Sequence, residues 1–232
     1  MSKNTYDQRL FRSGLRKYIH ESRFRWLKTQ TKYLKKKNSK NNLSVIEIGC
    51  FNCRSLKYLS FVPSKYCGLD AGWEGGIEEA SKAYPNYNIK KSTDPSDING
   101  KWDLSLALET LEHLPRPLVL EEYLERLANH SKTLIATVPM EIGPLFLFKF
   151  LYKILIQGDS YPHTFLEVLN QSLGRCHLVT QDEHQGFDYR ELAKLIDKYF
   201  KIEKIEGINS IFPKFANTQI GIVAHSRLNS QK

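Results

Sequence analysis

The chain has 232 residues, of which 41% are hydrophobic and 12% aromatic, and a formal net charge of +9. That length fits one large domain, and the apolar content suffices to bury a core, which excludes a disordered chain. The charge is lopsided: residues 1–41 hold 13 of the 34 basic residues and two of the 25 acidic ones, Asp7 and Glu21, which leaves residues 42–232 near neutrality.

In chain order, residues 7–37 predict a helix or helix pair. Phe11, Leu15, Tyr18, Ile19, Trp26, Leu27, Tyr33 and Leu34 recur near a 3.6 period with Arg and Lys between them. On that period Tyr18, Trp26 and Tyr33 read as buried. The basic face reads either as a solvated helix surface or as a contact for phosphate, a membrane surface or nucleic acid. Residues 43–48 (LSVIEI) are a buried strand ending at Gly49, and 54–59 begin a helix. A second strand at 66–69 ends at Asp70. Residues 78–83 are a helix stopped by Pro85, and 87–90 a weak third strand. Residues 103–108 (DLSLAL) are a fourth strand, 117–128 a helix with Pro in its first turn, and 133–138 (TLIATV) a fifth strand closed by Pro139.

Strands alternating with helices imply a parallel sheet with right-handed crossovers, and ligands of such sheets gather at the carboxyl ends of the strands. The positions to watch are Gly49, Asp70, Asp94, Glu109 and Pro139. Residues 142–181 interrupt the alternation. Within them, 145–156 (LFLFKFLYKILI) is apolar apart from Lys149 and Lys153. It falls short of the roughly 20 residues a membrane span needs. It reads as a lid or core helix, or as an interfacial membrane helix. Residues 187–200 resume as a helix, with Asp188 as N-cap and Glu191 at capping-box spacing. Residues 202–208 and 218–225 are strands that pair antiparallel. Cys50, Cys53, Cys67 and Cys176 fit the reduced thiols of a cytoplasmic protein, and no signal peptide is visible at the N-terminus.

Three stretches carry chemistry. The first is the turn after the first strand (VIEIGCFNC), where backbone N–H groups lie ready for a ligand carboxylate or ribose and Gly49 permits close approach. Alone it is weak, because it is not a G-x-G-x-x-G fingerprint. The second is Asp70, which ends the next strand and can accept hydrogen bonds from ribose hydroxyls. The third is WDLSLALETLEHLP, a strand running into a polar loop.

The order VIEIGC, YCGLD, WDLSLALETLEHLP resembles the class I S-adenosylmethionine-dependent methyltransferases over residues 43–140, and more loosely to 225. The resemblance implies an α/β fold: a seven-stranded, mostly parallel Rossmann-like sheet with an antiparallel last strand and helices on both faces. A basic helical arm (1–41) would precede a methyltransferase domain (42–232) with a lid-like insertion at about 142–181. It implies S-adenosylmethionine as cofactor. Glu47 and Gly49, with Cys50 and Phe51 in the same turn, would sit by the methionine part. Asp70 would bind the ribose, Asp94 (or Asp97) would lie near the adenine amine, and Glu109 would face the cofactor. One departure stands out: Phe51 and Cys53 replace the family's second and third glycines. Either the backbone stays at negative φ there or binding is lost.

His184, in DEHQGFD before the last helix, suits the base that a hydroxyl acceptor needs; the alternative is a surface histidine beside a helix cap. Glu141, Asp182 and Glu183 are weaker candidates. His113 belongs to the turn that the family uses structurally. Cys50-x-x-Cys53 lacks a second pair, the spacing of the acids is unspecific, and no metal is expected. Tyr161, Pro162 and His163 follow the apolar segment and are candidates to line the same pocket. The expected reaction is O-methylation of a small molecule, glycan or lipid-linked glycan, with the basic arm able to hold the protein at a membrane. The alternatives are an RNA methyltransferase using the arm, or a non-catalytic binding module of the same fold. The absence of an Asn/Asp-Pro-Pro-Tyr motif after strand four argues against base N-methylation.

Overall fold

Strands β1 (Ser44–Ile48), β2 (Lys65–Asp70), β3 (Asn88–Lys91), β4 (Trp102–Leu108), β5 (Ser131–Pro139), β6 (Phe200–Gly207) and β7 (Gln219–Ser226) form one sheet in the order β3-β2-β1-β4-β5-β7-β6. The computed structural model describes residues 11, 14–38, 42–152, 154, 164–180, 186–209, 213 and 216–228. β1, β2, β3, β4 and β5 pair in parallel, whereas β7 runs antiparallel to both β5 and β6. β1 lies between β2 and β4, so the chain leaves β1 to one side and returns on the other. That reversal opens a crevice at the carboxyl edge.

The period-2 alternation divides the strand side chains between two cores. Ile46, Ala107, Leu134 and Ile222 face one layer, with Leu124 and Ile196 from helices α3 (Leu118–His130) and α6 (Tyr189–Tyr199). Val45, Leu104, Ile135 and Val223 face the other, with Leu27 and Ile77 from α1 (Gly14–Lys37) and α2 (Gly76–Ala83). Helices α4 (Pro144–Tyr152) and α5 (Phe165–Ser172) pack on each other beyond β5 around Phe146, Phe150 and Val168.

α1 lies along the sheet. Arg23, Leu27, Gln30 and Leu34 form its buried stripe. Trp26 enters a slot over Gly221 of β7, where a Cβ would stand 2.3 Å from the indole, and its Nε1 donates to Glu206 at 2.7 Å. Of the three aromatics read as buried, only Trp26 is. Tyr18 and Tyr33 are exposed, because they fall off the stripe that 23, 27, 30 and 34 define. Residues 7–10, 12 and 13 of the expected helix lie outside the described residues.

Two local expectations change. Residues 54–58 form a short 3-10 turn rather than an α-helix. Asp188 does cap α6, accepting from Arg190 N at 2.8 Å, but Glu191 turns to Lys194 instead of closing a box. A reciprocal capping box stands at the start of α5, where Thr164 and Glu167 bond each other's backbone.

Candidate functional site

The turn after β1 is built from β2. Gly49 N and Cys50 N both donate to Leu69 O, at 2.7 and 3.2 Å, and Phe51 N donates to Asp70 Oδ2 at 2.9 Å. The N–H groups expected to greet a ligand are thus committed to β2, which corrects the reading of the turn as a ready cradle of donors. In exchange, Asp70 is fixed: its Oδ1 accepts from Gly72 N at 2.8 Å. Each carboxylate oxygen keeps a further lone pair for an incoming hydroxyl. Gly49 has φ 67°, and a Cβ there would strike Thr110 Oγ1 at 2.1 Å, so the loop after β4 closes against the bare backbone.

Phe51 and Cys53 adopt φ 47° and 54°. Of the two alternatives, negative φ or loss of binding, the first fails: the turn keeps the left-handed backbone that glycine favours and carries side chains on it, which leaves loss of binding as the outcome that calorimetry has to exclude. Such a conformation costs about 1–2 kcal/mol per residue. The surroundings hold it. Phe51 N is pinned by Asp70, Cys53 N donates to Cys50 O at 2.7 Å, and Cys53 is fully buried. The Phe51 ring lies on Gly76, 2.5 Å from where a Cβ would be, and forms the wall on the α2 side. Cys50 turns its thiol onto Gly68 of β2, and both thiols are buried and free. Cys53 beside it, together with burial, pushes the Cys50 thiol well above its usual range, so it stays protonated and unreactive.

Beneath the turn, Glu47 is buried and accepts from Tyr66 Oη at 2.6 Å and from Ser55 Oγ. Burial raises its pKa to about 7; the two hydrogen bonds oppose the rise, Asp70 adds to it, and Arg23 opposes it. Glu109 follows β4 at φ 55°, with a buried Oε1 that has no hydrogen-bond partner. Burial raises its pKa, while Arg23, Gln219 and Thr137 pull it back. Glu112 is buried with both carboxyl oxygens lacking a hydrogen-bond partner, and burial, then Glu109, push it well above the carboxylate range. Glu141, after β5, is buried and paired with Lys149 of α4 at 2.7 Å.

The counter-charge to these acids comes from α1. Arg23 is 8% exposed, its buried Nε has no hydrogen-bond partner, and its charge acts on Glu47, Glu109 and Glu112. Sequence reasoning passed over Arg23 as one basic residue among many. The signal was its place four residues before Leu27, on the stripe that faces the sheet. Glu112, Gln171 and Gln219 were also missed. Gln171 ties α5 to the segment after β5, donating to Glu141 O at 2.9 Å and accepting from Gly186 N at 3.2 Å.

Asp94 lies on the same edge, since Ser92 of its loop donates to Asp70 O at 2.8 Å. Its own carboxylate is exposed and caps a short turn by accepting from Ser96 N at 2.7 Å, which lowers its pKa. His113 is exposed in the turn after β4. His184, Asp182, Glu183, Tyr161, Pro162 and His163 lie outside the described residues. Among the described residues, no group of three His, Cys, Asp or Glu side chains is placed to hold a metal ion.

No protein-family model matches the chain, and no curated protein sequence matches it. Solved structures do. The magnesium protoporphyrin IX methyltransferase (ChlM) from Synechocystis PCC 6803 with bound SAH superposes with a TM-score of 0.57 at 17% identity, over 94% of this chain and 92% of that one. The methyltransferase domain of bacterial CtHen1-CN gives 0.57 at 17% identity, over 89% and 99%. An S-adenosylmethionine-dependent methyltransferase from Clostridium acetobutylicum gives 0.56 at 12% identity, over 86% and 92%. At these identities the likeness concerns the fold, and with the strand order and the reversed β7 it shows that this chain has the class I, Rossmann-like methyltransferase fold.

Proposed function

We propose that the chain is an S-adenosylmethionine-dependent methyltransferase acting on an oxygen atom of a small-molecule, glycan or lipid-linked glycan acceptor. One observation carries the cofactor reading: Asp70 is drawn to the turn after β1 by Phe51 N, while the buried Arg23 of α1 acts on Glu47 of β1 and on Glu109, whose buried Oε1 lacks a hydrogen-bond partner just after β4. These residues fit the group. Asp70 offers acceptors for ribose hydroxyls, Arg23 a cation for the amino-acid carboxylate, and Glu109 an anion for its ammonium. Buried partnerless polar atoms of opposite sign are costly, and a zwitterion between them relieves both.

When bound, the sulfonium supplies a methyl carbon already activated for displacement. The chain's own residues then have to orient and desolvate. Arg23 and Glu109 hold the amino-acid end, Asp70 the ribose, and Lys149 with Gln171 ties α4 and α5 to Glu141 at the crevice. A hydroxyl acceptor needs a base, and we assign this to His184, two residues before the anchored Gly186.

Calorimetry with S-adenosylhomocysteine tests the proposal. Wild type should bind, and Asp70→Ala should lose about tenfold or more in affinity. No heat at millimolar ligand would favour a non-catalytic module. An RNA acceptor is the second reading, and the exposure of Tyr18 and Tyr33 on basic α1 favours it. Steeply salt-dependent RNA binding by the full chain would support it.

A further inference from the structure

The exposed large apolar side chains of the described residues are not scattered. Fourteen are exposed, and eight of them lie between 148 and 178, on and around α4 and α5. Phe148 is 67% exposed, Phe165 69% and Leu166 65%, with Leu151, Leu169 and Leu173 beside them in sequence on the same two helices and the turn that follows. Among the described residues the pair buries little in return: Phe146, Phe150 and Val168 between the helices, with Leu147 partly buried against them. Such a concentration on two helices packed together marks an interaction surface rather than background exposure.

Charge identifies the occupant. Glu167 is the only carboxylate on α4 and α5. Its Oε2 bonds Thr164 and its Oε1 bonds Thr180, so both oxygens are held by the fold. Lys149, Arg175 and His177 are exposed around the apolar residues. Apolar residues bordered by the Arg175 guanidinium and by Lys149, with no free carboxylate among the described residues of α4 and α5, match the boundary between headgroups and acyl chains of an anionic bilayer. A second copy of the chain fits less well, because the described residues of α4 and α5 offer no free carboxylate to meet Arg175 of another copy.

We infer that the α4–α5 pair is a membrane-docking element that seats its exposed apolar residues in the surface of an anionic phospholipid bilayer. The inference does not depend on the methyltransferase reading. If both hold, docking sets the carboxyl edge beside the lipid, because Gln171 and Lys149 fasten this pair to Glu141.

The test is flotation of the full chain with vesicles of phosphatidylcholine mixed with phosphatidylglycerol, against pure phosphatidylcholine. Wild type should float with the mixed vesicles and bind the neutral ones more weakly. Phe148→Glu and Leu166→Glu, both at exposed positions, should each weaken binding about tenfold or more while circular dichroism stays unchanged. Three results would overturn the inference. The first is wild type staying soluble with mixed vesicles. The second is both variants floating as well as wild type while a Lys35→Glu/Lys36→Glu/Lys37→Glu variant does not, which would assign the contact to α1. The third is a wild-type dimer in light scattering that Phe148→Glu dissociates, which would make a second copy the occupant.

Discussion

Replacing Glu47 by Gln should make the protein more stable at alkaline pH and stabilise it by only about 1 kcal/mol at pH 5. Glu47 has a pKa raised from 4.5 to about 7 by burial. Below pH 4.5 the folded and unfolded chains both hold its proton. Above that the unfolded chain releases it first, so stability falls as pH rises through 7. Each pKa unit is worth about 1.4 kcal/mol, so the loss attributable to Glu47 is about 3 kcal/mol by pH 8.5. Glutamine keeps an oxygen for the Tyr66 and Ser55 hydroxyls and removes the ionisation. Glu109 and Glu112 are raised in the same direction and steepen the pH dependence of both proteins, whereas Glu167, held at about 2, titrates below this window. The difference between variant and wild type therefore isolates Glu47. Urea unfolding followed by tryptophan fluorescence from pH 5 to 9 should show a gap opening in the variant's favour to about 3 kcal/mol, or about 6–12 °C in Tm for a chain of this size. A gap that stays constant across that range would refute the reasoning.

Arg23→Met should weaken S-adenosylhomocysteine binding about tenfold or more and steepen the alkaline loss of stability, because Arg23 lowers the pKa of Glu47, Glu109 and Glu112; calorimetry and the same urea series check both. Gly221→Ala should cost about 1–3 kcal/mol in urea, because its methyl group would displace the Trp26 indole from its slot. Lys149→Met, which breaks the pair with Glu141, should speed proteolysis between α4 and α5 while wild type resists longer under the same conditions.

The sheet was legible because its strands are short apolar runs whose ends carry Gly49, Asp70 and Pro139, and each ended within a residue or two of its expected place. Asp70 could be read from its position alone, since the end of β2 fixes where its carboxylate points. The chemistry of α1 could not. A helical period finds the buried stripe only when its members are apolar, and this stripe includes Arg23 and Gln30. Exposure of Tyr18 and Tyr33 followed from the same miscount. Nor could the sequence say that the first turn spends its N–H groups on β2, because that depends on the register of Leu69 beside Ile48. His184 rests on sequence reasoning alone.

Backbone strain gathers where the proposed chemistry is. Among the described residues, those other than glycine with positive φ are Phe51, Cys53, Glu74 and Glu109, and all four follow the carboxyl ends of β1, β2 or β4. Strain of this kind persists only where the surroundings impose it, and it is concentrated at working sites. Glu109 gives the cleanest test, because its backbone lies at positive φ and burial raises its pKa. Glu109→Gln removes the charge and keeps the strained backbone; Glu109→Gly removes both. If the crevice holds strain for function, both variants lose affinity for S-adenosylhomocysteine, and the glycine variant is the more stable of the two by about 1 kcal/mol after the entropy of the added glycine is counted. Equal stability of the two variants would mean that φ 55° costs nothing there. Undiminished affinity in both would remove Glu109 from the site and leave the ammonium end of the cofactor without its proposed anion.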